Sequence, residues 1–395
     1  MTITGRSLLP LVARRNFSNA VASRLYIQNN LQNDQTHQSV QTDPKRKVYD
    51  FRSDTVTAPT DEMFDIMKAA SRNDDEDRSV KELEDFVAEQ TGHEAGLFCA
   101  SGTMTNQLGL RTHLQMPPHS VACDSRSHVH LWEAGGIAFH SRASVSPVIA
   151  RNGIHVTADE VEANLIEPDL HTAPTRVVSL ENTLSGLVFP VEEIRKISEL
   201  ARGRGLAMHL DGARLWNAAQ ETGLPLKEYG KHFDSMSLCL SKGVGAPIGS
   251  ILVGDAKFID RARHFRKLFG GGWRQAGFMA AAAKYCIDTV VPTMPETHKL
   301  AKYMADELTS LGFELQVPVH TNMVLIDTAN VGLNVQNDLL PALLKRNIKI
   351  GGMGTKSRLV LHHQVDKVAV DTFVEVMRDL LAARVEEPKK AANTA

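Results

Sequence analysis

The sequence predicts an α/β protein: a mostly parallel sheet with helices on both faces, as in aminotransferase-like large domains, followed by a smaller α+β C-terminal domain. Three observations lead there. From Asp61 to about Val290, strand-length apolar runs alternate with helix-length amphipathic segments, and strands separated by helices pair in parallel because the crossover needs that length of chain. The short motifs "SG", "DGAR" and "SKG" stand at the C-terminal ends of apolar runs, where open α/β sheets bind ligands. After Pro292 and Pro295 the pattern changes to a helix, the strands "NMVLID" and "RLVLHH", and a final helix.

The expected order follows from local signals. "MTITGRSLLPLVARRNFSNAVASRLYIQNNLQN" carries Arg6, Arg14, Arg15 and Arg24 with no acidic residue before Asp34. That is the makeup of a mitochondrial transit peptide, with "RNFSNA" as a cleavage context; without import the protein is cytoplasmic. Residues 1–46 are therefore leader and linker, 47–291 the large domain and 292–395 the small one. "DEMFDIMKAA" and "SVKELEDFVAEQTG" space their apolar residues as helices, and Gly92 suits a C-cap. "EAGLFCA" is a strand, and "SGTMTNQLGLRTHL" opens a helix. "SVACD" and "TRVVSLEN" are buried strands, and "PVEEIRKISELARGRG" is a helix with Pro190 at its start. "LAMHLDGAR", "SMSLCLS" and "GSILVGD" are strands; "AKFIDRARHFRKLF" and "RQAGFMAAAAKYCIDTVV" are helices.

Composition narrows the function. The chain has 395 residues, 43% hydrophobic and 23% charged, as in soluble globular proteins. A formal net charge of -2 gives no reason to expect a nucleic-acid partner. No apolar run approaches the roughly 20 residues of a membrane helix. Four cysteines without a CxxC pair fit a reducing compartment. His128 and His130 form an H-x-H pair, but no further ligand stands at matching spacing, so no metal is expected.

Lys242 ends a probable buried strand, "SLCLSKGVGAPIGS", among small residues. "GVGAPIG" is not a nucleotide turn, because Pro247 interrupts it and a strand follows. Ser101, Gly102 and Thr103 of "CASGTMTN" sit at a strand-to-helix junction, which reads either as an ordinary N-cap or as an anion site. Asp211 closes an apolar strand in "HLDGAR", with Arg214 behind it. In chain order stand a phosphate-type turn, a histidine, an aspartate and, about thirty residues on, a lysine. A pyridoxal-phosphate site needs these parts: donors for the phosphate, a flat group over the ring, a carboxylate for the pyridine nitrogen and an amine for the aldehyde. Small neighbours give the cofactor room beside the amine.

Taken together, "DFRSDTVTAPT", "ASGTMTN", "EAGG", "LENT", "HLDGAR", "LCLSKGVGAPIGS" and "LFGGGWRQAG" resemble the low-specificity L-threonine aldolases, fold-type I pyridoxal-phosphate enzymes, from about Tyr49 to at least Val365. The resemblance implies pyridoxal 5'-phosphate as cofactor, an amino-acid substrate, and a homotetramer with active sites shared across a dimer interface. It implies Lys242 as the Schiff-base lysine and Asp211 as the partner of the ring nitrogen. Arg214 would lie near the cofactor's phenolic oxygen and the substrate carboxylate, and Ser101, Gly102 and Thr103 would hold the phosphate. His128 would stack on the ring. Ser53 and Arg358 would bind the substrate carboxylate, and Arg274 would reach a phosphate of the neighbouring subunit. Some members read "ENTH" where this chain has Leu184 in "ENTLSG", so a second histidine is missing.

The implied reaction is aldol cleavage of L-threonine and L-allo-threonine to glycine and acetaldehyde, with His128 the first candidate to act on the β-hydroxyl. Two alternatives share these motifs: a related alanine racemase serving a fungal-type peptide pathway, and a non-catalytic scaffold.

Overall fold

The computed structural model describes residues 47–74 and 77–392, with 385–392 as backbone only. The leader, and with it the expected mitochondrial import, lies outside the described residues. Among those residues no helix is long and apolar enough to cross a membrane.

Local chemistry sets the element ends. Asp77 accepts from the N–H groups of Ser79 and Val80 and starts the helix Arg78–Thr91, which stops at Gly92 in the left-handed region, φ 76°. Ser101 caps the helix Gly102–His113 by accepting from the Met104 N–H. Pro190 precedes the helix Val191–Gly203, whose first turn carries Glu192 and Glu193 at the positive end of the dipole.

The strands, in chain order, are β1 (Tyr49–Asp50), β2 (Ala95–Cys99), β3 (Ser120–Asp124), β4 (Ser144–Val148), β5 (Thr175–Glu181), β6 (Ala207–Gly212), β7 (Ser235–Cys239) and β8 (Ser250–Gly254). β9 (Glu314–Leu315), β10 (Met323–Asp327), β11 (Ile348–Lys349), β12 (Gly351–Met353) and β13 (Lys356–Val360) follow. The large sheet has the order β2-β8-β7-β6-β5-β3-β4. Only β8 runs antiparallel to its neighbours β2 and β7. The expected mostly parallel sheet is therefore present. β4 was not anticipated, since Pro147 within "SVSPV" argues against a strand. It lies at the sheet edge, paired only with β3, where a missing N–H is tolerated.

A second, antiparallel sheet has the order β12-β13-β10-β9. It shares an apolar core with the helices Met294–Ser310 and Lys367–Ala392, centred on Phe313, Val324, Phe373 and Met377. The start of the described chain joins this part: β1 pairs in parallel with β11, and Phe51 is buried in the same core. The segment carrying Ser53 and Asp54 thus leaves the smaller sheet and crosses to the ends of β6 and β7. A larger core, with Phe98, Ile194, Met208, Tyr229 and Met236, fills the space around the large sheet.

Register fixes what stands side by side at the carboxyl edge. Glu181 of β5 is opposite Asp211 of β6, and Asp211 is opposite Ser237 of β7. Directly paired residues of parallel strands face the same side, so three polar side chains form a row across the sheet.

Candidate active site

Asp211 is 2% exposed. Its Oδ1 accepts from the Ala213 N–H at 3.0 Å and its Oδ2 from Asn106 Nδ2 at 2.9 Å. Asn106 comes from the second turn of the helix Gly102–His113 and donates also to Glu133 Oε1 at 2.8 Å. Gln107 Nε2 binds the other oxygen of Glu133. His128 completes the set: its Nδ1–H donates to Glu133 Oε1 at 2.9 Å, and its backbone N–H donates to Glu181 Oε2 at 2.7 Å. Burial disfavours the charged imidazole, but the Glu133 hydrogen bond and the nearby Asp211 and Glu133 charges raise the His128 pKa above its ordinary value. Burial, reinforced by Asp211, pushes the Glu181 carboxyl well up.

Ligand atoms of His128, Glu133 and Asp211 lie within 4.8 Å of one another. Amide and imidazole N–H groups point into the two carboxylates, which is the arrangement of a hydrogen-bonded cluster. His130 does not join it.

Lys242 is half-buried on the loop that follows β7. Backbone bonds from Gly245 N–H to Lys242 O, 2.8 Å, and from Ala246 N–H to Leu240 O, 3.0 Å, close that loop into a tight turn. The Lys242 charge acts on Asp54, His128 and Glu181, so the amine belongs to the same cluster. Ser101, Gly102 and Thr103 form the first turn at the mouth. The Ser101 hydroxyl accepts from the Met104 N–H at 3.2 Å, so the side chain acts as an N-cap. The helix's leading N–H groups, which have no acceptor within the helix, remain the anion-binding element.

Arg214 donates from Nε to Asp54 Oδ2 at 2.8 Å and from Nη2 to Asp54 Oδ1 at 2.6 Å. Asp54 is fully buried, and Asn322 reaches it from the smaller domain. Burial alone would raise its carboxyl pKa, but Arg214, with Lys242 and Arg358 adding positive charge, holds it at about 2. Arg358 stands on β13 between Gly351 and Leu325 in the ladder. Ser53 precedes Asp54, and its hydroxyl accepts from the Thr55 N–H and hydroxyl. The structure therefore brings together Lys242, Asp211, His128, Arg214 and Arg358, with Ser53 and the Ser101 turn at the rim. Arg274 stands apart: its side chain is 66% exposed and pairs with Asp74 at 3.2 Å.

Sequence reasoning passed over Asp54, Asn106, Glu133, Glu181 and His209 as functional groups. Each lies inside or beside a quoted motif, but their mutual contacts cross the chain and leave no local signature. Leu184 is buried and lines a cavity of ≈ 10 Å³ with His155, Glu181 and Phe189, so an apolar side chain stands where some family members read histidine.

Residues 50–331 match the family described as Beta-eliminating lyase. The chain is 46% identical over 333 residues to a Schizosaccharomyces pombe protein named probable low-specificity L-threonine aldolase, covering 83% of this chain and 86% of that one. It is 35% identical over 357 residues to the alanine racemase TOXG of Cochliobolus carbonum, covering 87% and 90%. Among solved structures it resembles a Leishmania major threonine aldolase, TM-score 0.74 at 20% identity, over 84% of this chain and 99% of that one; at that identity the likeness speaks to the fold.

Asp54→Asn removes the counter-charge of a buried guanidinium and is expected to cost about 3–5 kcal/mol of stability. The carboxyl sits at about 2 against an ordinary 3.8, so its contribution is complete above the ordinary value and is lost as pH falls through that window. Denaturant midpoints measured from pH 6 down to about pH 2 should fall more steeply for the wild type than for the variant. Parallel profiles would remove the pair from this role.

Proposed function

The chain belongs to the Beta-eliminating lyase family, among the low-specificity L-threonine aldolases, and from that premise we propose that it cleaves L-threonine and L-allo-threonine to glycine and acetaldehyde with pyridoxal 5'-phosphate. One observation carries the reading. Lys242, the buried Asp211 carboxylate, His128 and a helix N-terminal turn converge at the carboxyl edge of one sheet. The donor set fits that cofactor in kind: an amine for an aldehyde, a carboxylate for a cationic ring nitrogen, backbone N–H groups for a phosphate. When bound, the cofactor supplies an electron-withdrawing ring that stabilises negative charge at the substrate's Cα.

The protein's own groups do the rest. Asp211 keeps a lone pair on each oxygen beyond those that Ala213 and Asn106 use, and these would accept from the ring nitrogen of a bound cofactor. Arg358 and Ser53 take the substrate carboxylate, and Arg214, braced by Asp54, lies beside them. His128 gives its Nδ1–H to Glu133, so Nε2 is the nitrogen with a lone pair when the ring is neutral. It accepts the β-hydroxyl proton, directly or through a water, as the Cα–Cβ bond breaks and the aldehyde leaves; glycine then needs a proton at Cα. Glu133 favours the imidazolium so formed.

The same reading makes the enzyme an oligomer with sites completed across an interface. Phe139 is 81% and Leu268 70% exposed, and contact with a second copy would cover them. Arg274 is exposed shortly after Leu268 in the chain and suits a phosphate of a second copy. Light scattering on active enzyme is expected to give a multiple of the chain mass, and a monomer would remove the shared-site arrangement.

Lys242→Ala should abolish turnover and the cofactor's fixation to protein by borohydride, as read by mass spectrometry; retained activity would displace the amine from its role.

The functional test is chiral product analysis with threonine epimers and alanine. Anchoring of both carboxylate and amine leaves one orientation that aligns the Cα–Cβ bond for cleavage, so D-threonine should not react. Leu184 offers no hydrogen bond to sort the β-epimers, and one such bond would be worth about 0.5–1.5 kcal/mol, up to about tenfold in rate. The two L-epimers should therefore differ modestly in kcat/KM, with allo-threonine the better substrate. D-alanine formed from L-alanine without cleavage of threonine would establish racemisation instead.

A further inference from the structure

Behind Asp211 runs a chain of hydrogen bonds that the reaction as described does not use. His209 Nε2 meets Asn106 Oδ1 at 3.2 Å, His209 Nδ1 meets Ser235 Oγ at 2.8 Å, and the same Oγ meets His113 Nε2 at 2.8 Å. Asn106 and His113 lie seven residues apart on one helix and therefore on one face, and His209 and Ser235 are register partners on β6 and β7. His209 and Ser235 are fully buried.

Donor and acceptor roles in this chain are forced. Asn106 Nδ2 faces two carboxylates, Glu133 at 2.8 Å and Asp211 at 2.9 Å, and must donate to both. Its oxygen therefore faces His209, whose Nε2 must carry the hydrogen. Burial holds His209 neutral, with a pKa of about 3, so Nδ1 is bare and accepts from the Ser235 hydroxyl. Ser235 Oγ then accepts from His113 Nε2–H, and burial keeps His113 neutral too, at about 4. Every bond points the same way, from His113 towards the two carboxylates.

The space for this is made by Gly109. A Cβ there would lie 2.6 Å from His209 Cε1 and 2.9 Å from its Nδ1, so only glycine lets the imidazole lie against the helix.

We propose that His209, fixed in its Nε2–H tautomer by Ser235 and His113, is a positioning residue that prevents the Asn106 amide from turning over and so keeps its N–H pair on Asp211 and Glu133. A flipped amide would set an oxygen against two carboxylates. The Asp211 plane, and the His128 ring that shares Glu133, would both lose their orientation. This rests on the pyridoxal-phosphate reading of the site, in which Asp211 meets the ring nitrogen.

The test has two arms. In the first, imidazole ¹⁵N shifts of histidine-labelled wild-type protein, assigned by difference against His209→Gln and His113→Gln, are expected to show Nε2–H tautomers at both positions. They should not change between about pH 6 and pH 9, the range in which an ordinary histidine loses its charge. An Nδ1–H tautomer at His209, or titration in that range, overturns the proposal whether or not cofactor binds; if a variant does not fold, through-bond correlations in the wild type give the same assignment. In the second arm, folded holoenzyme carrying His209→Leu should lose about tenfold or more in kcat with KM within about twofold. Cofactor affinity, read by equilibrium absorbance, should weaken about fivefold or more. His209→Gln, whose amide N–H reaches towards Asn106 Oδ1, should recover most of both. Gly109→Ala, whose Cβ presses hardest on His209 and more lightly on the end of Leu252, should shift kcat and affinity in the direction of His209→Leu. A His209→Leu enzyme equal to wild type in affinity and kcat overturns the proposal, whereas wild-type protein that binds no pyridoxal phosphate overturns the functional reading and leaves the tautomer result standing.

Discussion

The carboxylate of Asp211 is the group around which the large domain is arranged. Taking an ionised carboxyl out of water costs several kcal/mol unless charge or hydrogen bonds replace the lost hydration. Here the replacement comes from a turn N–H on its own strand and from an amide on a different element. That requirement ties the helix Gly102–His113 to the end of β6 by a polar contact as well as by packing. The same helix offers its N-terminus to the mouth and its interior face to the His209 chain. One element thus reaches the mouth with its first turn, Asp211 with Asn106 and the His209 chain behind them, because its residues repeat at helical spacing along a single buried face.

Asp54 does for the two-domain arrangement what Asp211 does for the sheet. The chain pairs first with the smaller domain through β1, then crosses with Asp54 to Arg214 of the large one. Asn322 and Arg358 approach the same carboxylate from the smaller sheet. A buried ion pair is weak evidence for stability when compared with an apolar replacement, but it is strict about geometry, since each member is costly without the other. The pair therefore fixes how the smaller sheet, with Arg358, is set against Arg214 and the end of β6.

Much of this was legible in the sequence. Alternating strand and helix periods gave the parallel sheet, because side-chain periodicity reports burial directly. That Lys242, Asp211 and the Ser101 turn would stand together was readable because each follows or closes a strand of one sheet. Asp54 and His209 were not, although each is one or two residues from a residue singled out. Their importance lies in partners more than twenty residues away, and nothing in "RSDTVT" or "HLDGAR" says which distant groups those side chains meet. β4 was missed for another reason: Pro147 rules out a central strand, and only the finished sheet shows that this one is at the edge. The short strands β9, β11 and β12 carry too few residues for any period to register.

The apolar setting of Leu184 bears on how a proton can move in this site. Leu184 itself has no group that exchanges a proton, and the titratable side chains gathered at the site are His128, Lys242 and the carboxyls beside them. Glu181 is linked to His128 by its backbone bond and to Asp211 by register. Burial raises its proton affinity, so it holds a proton at a pH where an exposed glutamate would not. A positive charge arriving at Asp211 lowers that affinity again. The charge state of the row Glu181–Asp211 is therefore set by what occupies the ring-nitrogen position. His128, bonded to Glu181 through its backbone and to Glu133 through its ring, is held in place while that charge changes. In the proposed reaction a single histidine would then accept the hydroxyl proton without a second one to relay it, because its orientation and its stabilising carboxylate are both supplied by neighbouring groups.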